Sequence, residues 1–293
     1  MYLIIGASGF LGRYCIKNVL EKTNENIIAT YSNSLPESAL NSRIQWQPLD
    51  ITDIQKVNDF AKQVDNDTKI IYLAAFHHPD KVEEFPETAW NINIVALANA
   101  VNAFHNAKCL YYSSTDTVYG EGNKDKKFVE TDKCTPVNLY GKNKVLAEQI
   151  TLAKGFNVVR FPFIFGPSLV PNRPHFFDKI KADMENGKPV EMFNDSYRST
   201  LSFNQCANFL VDVIEKFGAC DEKIINIAAD DGISKYDAAI ALARKYNLDT
   251  KQVKPISVKS SNGIFKAKRA ETAVLDNTKL KTLLKLKSIQ LEL

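Results

Sequence analysis

An α/β chain built on a doubly wound parallel sheet is predicted by three observations. Short apolar runs alternate with longer amphipathic stretches through the first half of the 293 residues, the rhythm of repeated strand–helix–strand units. The first run, Tyr2–Ile5, leads straight into a turn with glycines at 6, 9 and 12. Further on, a run that opens with Tyr111-Tyr112 and closes in the hydroxyl cluster Ser113-Ser114-Thr115 precedes Tyr140 and Lys144, which stand one helical turn apart.

The strands are expected at Tyr2–Ile5, Ile27–Tyr31, Ile44–Gln47, Ile70–Ala74, Lys108–Ser113 and Asn157–Phe161. Several are apolar at nearly every position, as strands covered on both faces should be. Helices are expected between them at Leu11–Lys22, Asp53–Asp65, Thr88–Asn106 and Leu139–Lys154, with Asp53 as a cap. After Phe161 the rhythm changes. Phe163–Pro174 reads as a loop, His175–Asn186 as a helix, and Ile224–Ala228 as a buried strand that rejoins the main sheet. The reading is a Rossmann-type nucleotide-binding domain over 1–165 and a smaller, interleaved, substrate-binding lobe over 166–293.

Composition narrows the function classes. Hydrophobic residues make up 45%, charged residues 24%, and the formal charge is +3, values ordinary for a globular protein. The densest basic stretch, Lys259–Arg269, is short and mixed, so no nucleic-acid partner is expected. No apolar run approaches a membrane span. The five cysteines, Cys15, Cys109, Cys134, Cys206 and Cys220, form no CxxC pair, which argues against a disulfide framework and a zinc site. A strand that starts at residue 2 leaves no room for a secretory signal, and a cytoplasmic setting is expected.

The glycine turn has a physical reading. Gly6 permits a tight exit from the strand, Gly9 lets the backbone approach a pyrophosphate, and Gly12 lets the helix pack close to the sheet. The helix start, from Phe10 and Leu11, then offers free N–H groups and a positive dipole end. The spacing GxxGxxG departs from the GxGxxG of classical dehydrogenases. At the end of the second strand, Tyr31-Ser32-Asn33 supplies no carboxylate for the adenosine ribose of NAD. Arg13 and Ser32 could instead take a 2′-phosphate, which favours NADP over NAD as cofactor. Asp50 and Ile51 follow the third strand and face the adenine in this reading. Tyr140 is placed as a proton donor, its pKa lowered by the Lys144 ammonium, with Thr115 orienting a substrate oxygen.

With those residues in place the chain resembles the extended short-chain dehydrogenase/reductase superfamily. The match runs in order through Gly6–Gly12, Leu49–Asp53, Ala74-Ala75, Asn93, Ser113–Gly120 and Tyr140–Lys144. The resemblance implies catalytic roles for Thr115, Tyr140 and Lys144, with Ala74 and Ala75 beside the cofactor. Within the superfamily the chain looks most like dTDP-4-dehydrorhamnose reductases, through Ser114-Thr115-Asp116 and a segment from Arg269 to Leu280 in which Ala270 and Ala273 replace a proline and a serine. It implies a nucleotide-linked sugar as substrate, met by Phe76, His77, Asp116, Arg198 and Arg269, with Arg198 gripping a diphosphate. Asp116 is followed by Thr117 where dehydratases carry a glutamate, which disfavours dehydration. His77 and His78 lack further ligands, and no metal is expected. An epimerase with the same triad and a non-catalytic, dinucleotide-binding regulatory subunit stay open, as does a homodimer.

Overall fold

The computed structural model describes residues 1–33, 35, 41–123, 126–219, 222–260 and 265–293. Cys220 and positions 261–264 of the basic stretch lie outside the described residues. The strands are β1 Tyr2–Ile5, β2 Ile27–Tyr31, β3 Ile44–Pro48, β4 Lys69–Tyr72, β5 Cys109–Thr115, β6 Asn157–Phe161, β7 Val190–Phe193, β8 Tyr197–Arg198, β9 Ile224–Asn226, β10 Ile233–Ser234, β11 Val253–Ile256 and β12 Thr272–Ala273. The helices are α1 Phe10–Lys22, α2 Ile54–Ala61, α3 Pro79–Glu84, α4 Pro86–Trp90, α5 Ala96–Ala103, α6 Leu139–Ala153, α7 Phe176–Glu185, α8 Phe203–Glu215, α9 Lys235–Lys245 and α10 Thr278–Leu284.

Seven strands form one parallel sheet in the order β3-β2-β1-β4-β5-β6-β9, so the fold is the doubly wound Rossmann type. Strand alternation divides the apolar side chains between two covered faces. Tyr2 and Ile4 of β1 pack with Tyr14, Cys15 and Val19 of α1 and Leu210, Val211 and Ile214 of α8. Leu3 and Ile5 pack on the other face with Val57 and Phe60 of α2, Leu97 and Val101 of α5, and Ala147 of α6. The order reverses between β1 and β4, and a crevice opens there at the carboxyl ends of the strands.

A second core lies in the C-terminal half, where Phe177, Ile180 and Met184 of α7 meet Leu242 of α9, Val190 and Met192 of β7 and Val253 of β11. Strand β8 lies between antiparallel β10 and parallel β12. Strand β9 pairs with β6 at Val158–Ile224 to Arg160–Asn226, so chain from the C-terminal half completes the main sheet.

The stretch read as one helix, Thr88–Asn106, is broken by a π turn at Asn91–Val95 between α4 and α5. The wider turn lets Asn93 reach the loop after β4, where its Oδ1 accepts from the Phe76 N–H at 2.8 Å and its amide donates to the Phe76 carbonyl at 3.1 Å. Strand β4 ends at Tyr72, two residues before the expected Ala74, because the chain leaves the sheet into that loop. Asp53 caps α2 through the Lys56 N–H, as expected.

Candidate functional site

Two cavities open at the carboxyl edge of the sheet. The first, about 320 Å³, is lined by Gly6, Ser8, Gly9, Thr30, Ser32, Asp50, Ile51, Ala74, Ala75, His77 and Arg173, among others. Its floor is the glycine turn. Gly6 has φ +84°, the left-handed region that favours glycine. A Cβ at Gly12 would stand 2.6 Å from the Gly6 carbonyl oxygen and 2.7 Å from the Ala7 Cα, so α1 can approach the turn only without a side chain there. Thr30 of β2 accepts the Gly6 N–H at 3.1 Å and fixes the turn to the sheet. Helix α1 has Gly9, which lines the cavity, as its N-cap, and no side chain caps the N–H groups of its first turn.

Three of the expected site residues stand apart from the cavity that each was assigned to. Arg13 is buried, with its guanidinium carbon 5.1 Å from the Trp46 ring centroid, and is not on the cavity wall; the first turn of α1 carries its side chain onto β3. His77, expected against the substrate, lines this first cavity instead. Phe76, expected beside it, is held through its backbone by Asn93 and lines neither cavity. The residue that sequence reasoning missed is Arg173, in the loop before α7, whose guanidinium carbon lies 4.4 Å from the Phe10 ring centroid at the cavity edge. A single arginine in a proline-flanked loop carries no spacing signal.

The second cavity, about 240 Å³, is lined by Thr115, Asp116, Thr117, Phe163, Phe193, Arg198, Lys235 and Arg269, with several neighbours. Thr115 is the last residue of β5, and its hydroxyl donates to Asp116 Oδ1 at 3.1 Å. Asp116 is 4% exposed; burial pushes its carboxyl above the usual range, and Arg198 opposes the shift. Arg198 Nε stands 3.3 Å from Asp116 Oδ2. Its other nitrogens donate to the carbonyls of Ala270 at 2.6 Å, Glu271 at 3.0 Å and Tyr197 at 2.8 Å. The arginine expected to grip a diphosphate is thus engaged in fastening the 270–271 segment over Asp116. Arg269 is likewise paired, to Asp80 at 2.8 Å.

Tyr140 and Lys144 share one face of α6, as their spacing requires. Asn138 caps this helix by accepting the Gly141 N–H. Lys144 is 3% exposed and donates to the Tyr112 hydroxyl at 3.0 Å and the Ser113 carbonyl at 2.8 Å. Its ammonium lies 5.9 Å from the Tyr140 ring centroid. Burial pulls Lys144 down to about 7, against the pull of the Glu148 carboxylate. Burial, with the Asp116 carboxylate, pushes the Tyr140 phenol up. The direction is opposite to the lowering expected from the sequence: burial and the Asp116 carboxylate both raise the phenol, and Lys144 gives its hydrogen bond to Tyr112. Beneath the pair, Glu148 accepts from Ser114 and binds Arg160 at 2.6 Å, with both ions nearly inaccessible to water. This network anchors α6 to the end of β5.

Among the described residues no cluster of His, Cys, Asp and Glu could hold a metal ion, and no helix is long and apolar enough to cross a membrane.

Comparison with known proteins places this geometry. The methionine adenosyltransferase 2 subunit beta of Mus musculus is 27% identical, over 96% of this chain and 81% of its own. The dTDP-4-dehydrorhamnose reductase of Mycolicibacterium smegmatis is 25% identical, over 86% of this chain and 71% of its own. The structure of dTDP-4-dehydrorhamnose reductase from Bacillus anthracis in complex with NADP superposes with a TM-score of 0.79 at 19% identity, over 99% of this chain and 94% of that one. The family described as RmlD substrate binding domain matches residues 1–292, and the chain belongs to it.

Proposed function

We propose that this protein is an NAD(P)-dependent reductase of a keto group on a nucleotide-activated sugar. The observation that carries the reading is the placement of Thr115 in the wall of the second cavity, with Lys144 of α6 bonded to the Ser113 carbonyl of the same strand and Tyr140 one helical turn before it. The first cavity fits a dinucleotide: a floor of glycine turn with no side chain at Gly6 and Gly9, a helix start that no side chain caps, and the Ser32 hydroxyl in the wall. Similarity to reductases, one of them holding NADP, supports the same reading. The absence of a carboxylate at Tyr31–Asn33 favours NADP over NAD.

The dinucleotide, when bound, supplies the hydride. The chain's own residues do the rest. Thr115, whose O–H donates to Asp116 in the free protein, turns that O–H to the keto oxygen when substrate binds. Tyr140, which keeps its proton across the ordinary pH range, gives that proton to the oxygen as the alcohol forms. Lys144, bonded to the Ser113 carbonyl near the end of β5, stands beside Tyr140 and would hold the ribose of the bound dinucleotide. Consumption of NADPH with a nucleotide-linked 4-keto-6-deoxy sugar, abolished by Tyr140→Phe, is the expected result.

A second reading is a subunit that binds the dinucleotide without turnover. Similarity to a subunit of methionine adenosyltransferase 2 favours it, as does a Lys144 ammonium directed at Tyr112 rather than Tyr140. Tight NADPH binding with no oxidation on any nucleotide sugar would select this reading.

A further inference from the structure

Lys235 is the first residue of α9, after the capping serine Ser234, and its side chain enters the second cavity. Its ammonium lies 5.2, 5.5 and 5.8 Å from the ring centroids of Phe163, Phe176 and Phe193. It makes no hydrogen bond or ion pair with a described residue. The two other cations of the cavity are engaged, Arg198 by Asp116 and three carbonyls, Arg269 by Asp80. One positive charge therefore remains uncompensated, and Lys235 carries it.

The position is costly for a cation. The N-terminus of a helix repels positive charge. Arg198 and Arg269 repel it too, and together with burial, the largest cause, they pull Lys235 down to about 8. The three phenyl faces recover part of this through cation–π attraction. A local rule broken with only partial compensation is the pattern expected at a functional position.

We propose that Lys235 is the anion-recognising residue of the substrate cavity, pairing with a phosphate or carboxylate oxygen of the bound ligand. The inference rests on the nucleotide-sugar reading for the identity of the ligand, but the anion site itself does not. It assigns to Lys235 the role that the sequence suggested for Arg198. The paired arginines then shape the cavity wall and contribute no free charge.

The test is calorimetric titration of the full chain with UDP-glucose, UDP-glucuronic acid and inorganic pyrophosphate. Wild type is compared with Lys235→Met, which keeps length and apolar volume, and with Lys235→Arg, which keeps the charge. Lys235→Met should bind the anionic ligands at least tenfold more weakly, Lys235→Arg should restore binding to within about threefold, and the melting temperature of Lys235→Met should not fall. Equal weakening for both nucleotide sugars identifies a phosphate oxygen as the partner; weakening confined to UDP-glucuronic acid identifies a carboxylate. If wild type binds pyrophosphate but neither nucleotide sugar, and Lys235→Met loses pyrophosphate, the anion site stands and the nucleotide-sugar reading falls. Binding by Lys235→Met equal to wild type, or wild type that binds none of the three, overturns the proposal.

Discussion

Replacement of Lys144 by methionine should stabilise the cofactor-free protein at neutral pH, and the size of the effect follows from where the ammonium sits. Lys144 is 3% exposed, and burial lowers it from 10.5 to about 7. At ~1.36 kcal/mol per pH unit, a folded state that disfavours the charged form this strongly loses roughly 5 kcal/mol relative to the unfolded chain at and below pH 7. Methionine is uncharged and of similar length, so it removes that penalty. It also removes the bonds to the Tyr112 hydroxyl and the Ser113 carbonyl, each worth about 1 kcal/mol. A net gain of roughly 2–3 kcal/mol remains, or about 5 °C in Tm for a chain of this size. The sign with pH follows from proton counting. Between the folded and unfolded pKa values the unfolded chain binds more protons, so wild-type stability rises as pH climbs above 7. The methionine variant lacks this slope, and its advantage should vanish by about pH 9. Calorimetric melting of both proteins without dinucleotide, from pH 6 to 9, reads the effect. A Tm difference that does not change with pH would refute the reasoning, because it would mean that Lys144 keeps its proton in the fold. Lys144→Met should nevertheless lose activity, a stability gain traded against function.

Other perturbations test the neighbouring parts. Gly12→Ala should cost about 1–3 kcal/mol and weaken dinucleotide binding, since the new Cβ meets backbone at 2.6 Å; unchanged Tm and affinity would count against the close approach of α1. Glu148→Ala strands the Arg160 guanidinium in a water-free setting and should cost about 3–5 kcal/mol by chemical denaturation; a loss below about 1 kcal/mol would contradict the network. Arg173→Ala should weaken NADPH binding several-fold while leaving Tm unchanged, because the side chain is exposed and lies over Phe10 at the edge of the first cavity; equal affinity in fluorescence titration would remove Arg173 from the site.

Much of this arrangement was legible in the sequence because parallel, doubly covered strands must be apolar at almost every position. Tyr2–Ile5, Ile27–Tyr31 and Asn157–Phe161 coincide with β1, β2 and β6 for that reason. Gly6 and Gly12 were readable because their backbone conformation and close packing exclude side chains, and Tyr140 and Lys144 because helical spacing alone puts them on one face. What stayed hidden depends on contacts between distant segments. The partners of Arg198 come from Asp116 and from the carbonyls of Ala270 and Glu271, brought there by a two-residue pairing of β8 with β12 too short to leave a pattern. The three rings around Lys235 come from the loop after β6, from α7 and from β7. The side to which His77 turns depends on the π turn that brings Asn93 to Phe76, and no local spacing encodes that. Spacing also says nothing of desolvation, which reversed the expected direction for Tyr140.

The most direct test of a reductase is absorbance of NADPH and NADH with purified protein and a panel of nucleotide-linked 4-keto-6-deoxy sugars, run beside Tyr140→Phe. The account predicts stoichiometric oxidation of NADPH with at least one sugar, faster than with NADH, and its loss in the variant with NADPH affinity retained. Oxidation that survives in Tyr140→Phe, or NADPH binding with no oxidation on any sugar, would contradict it.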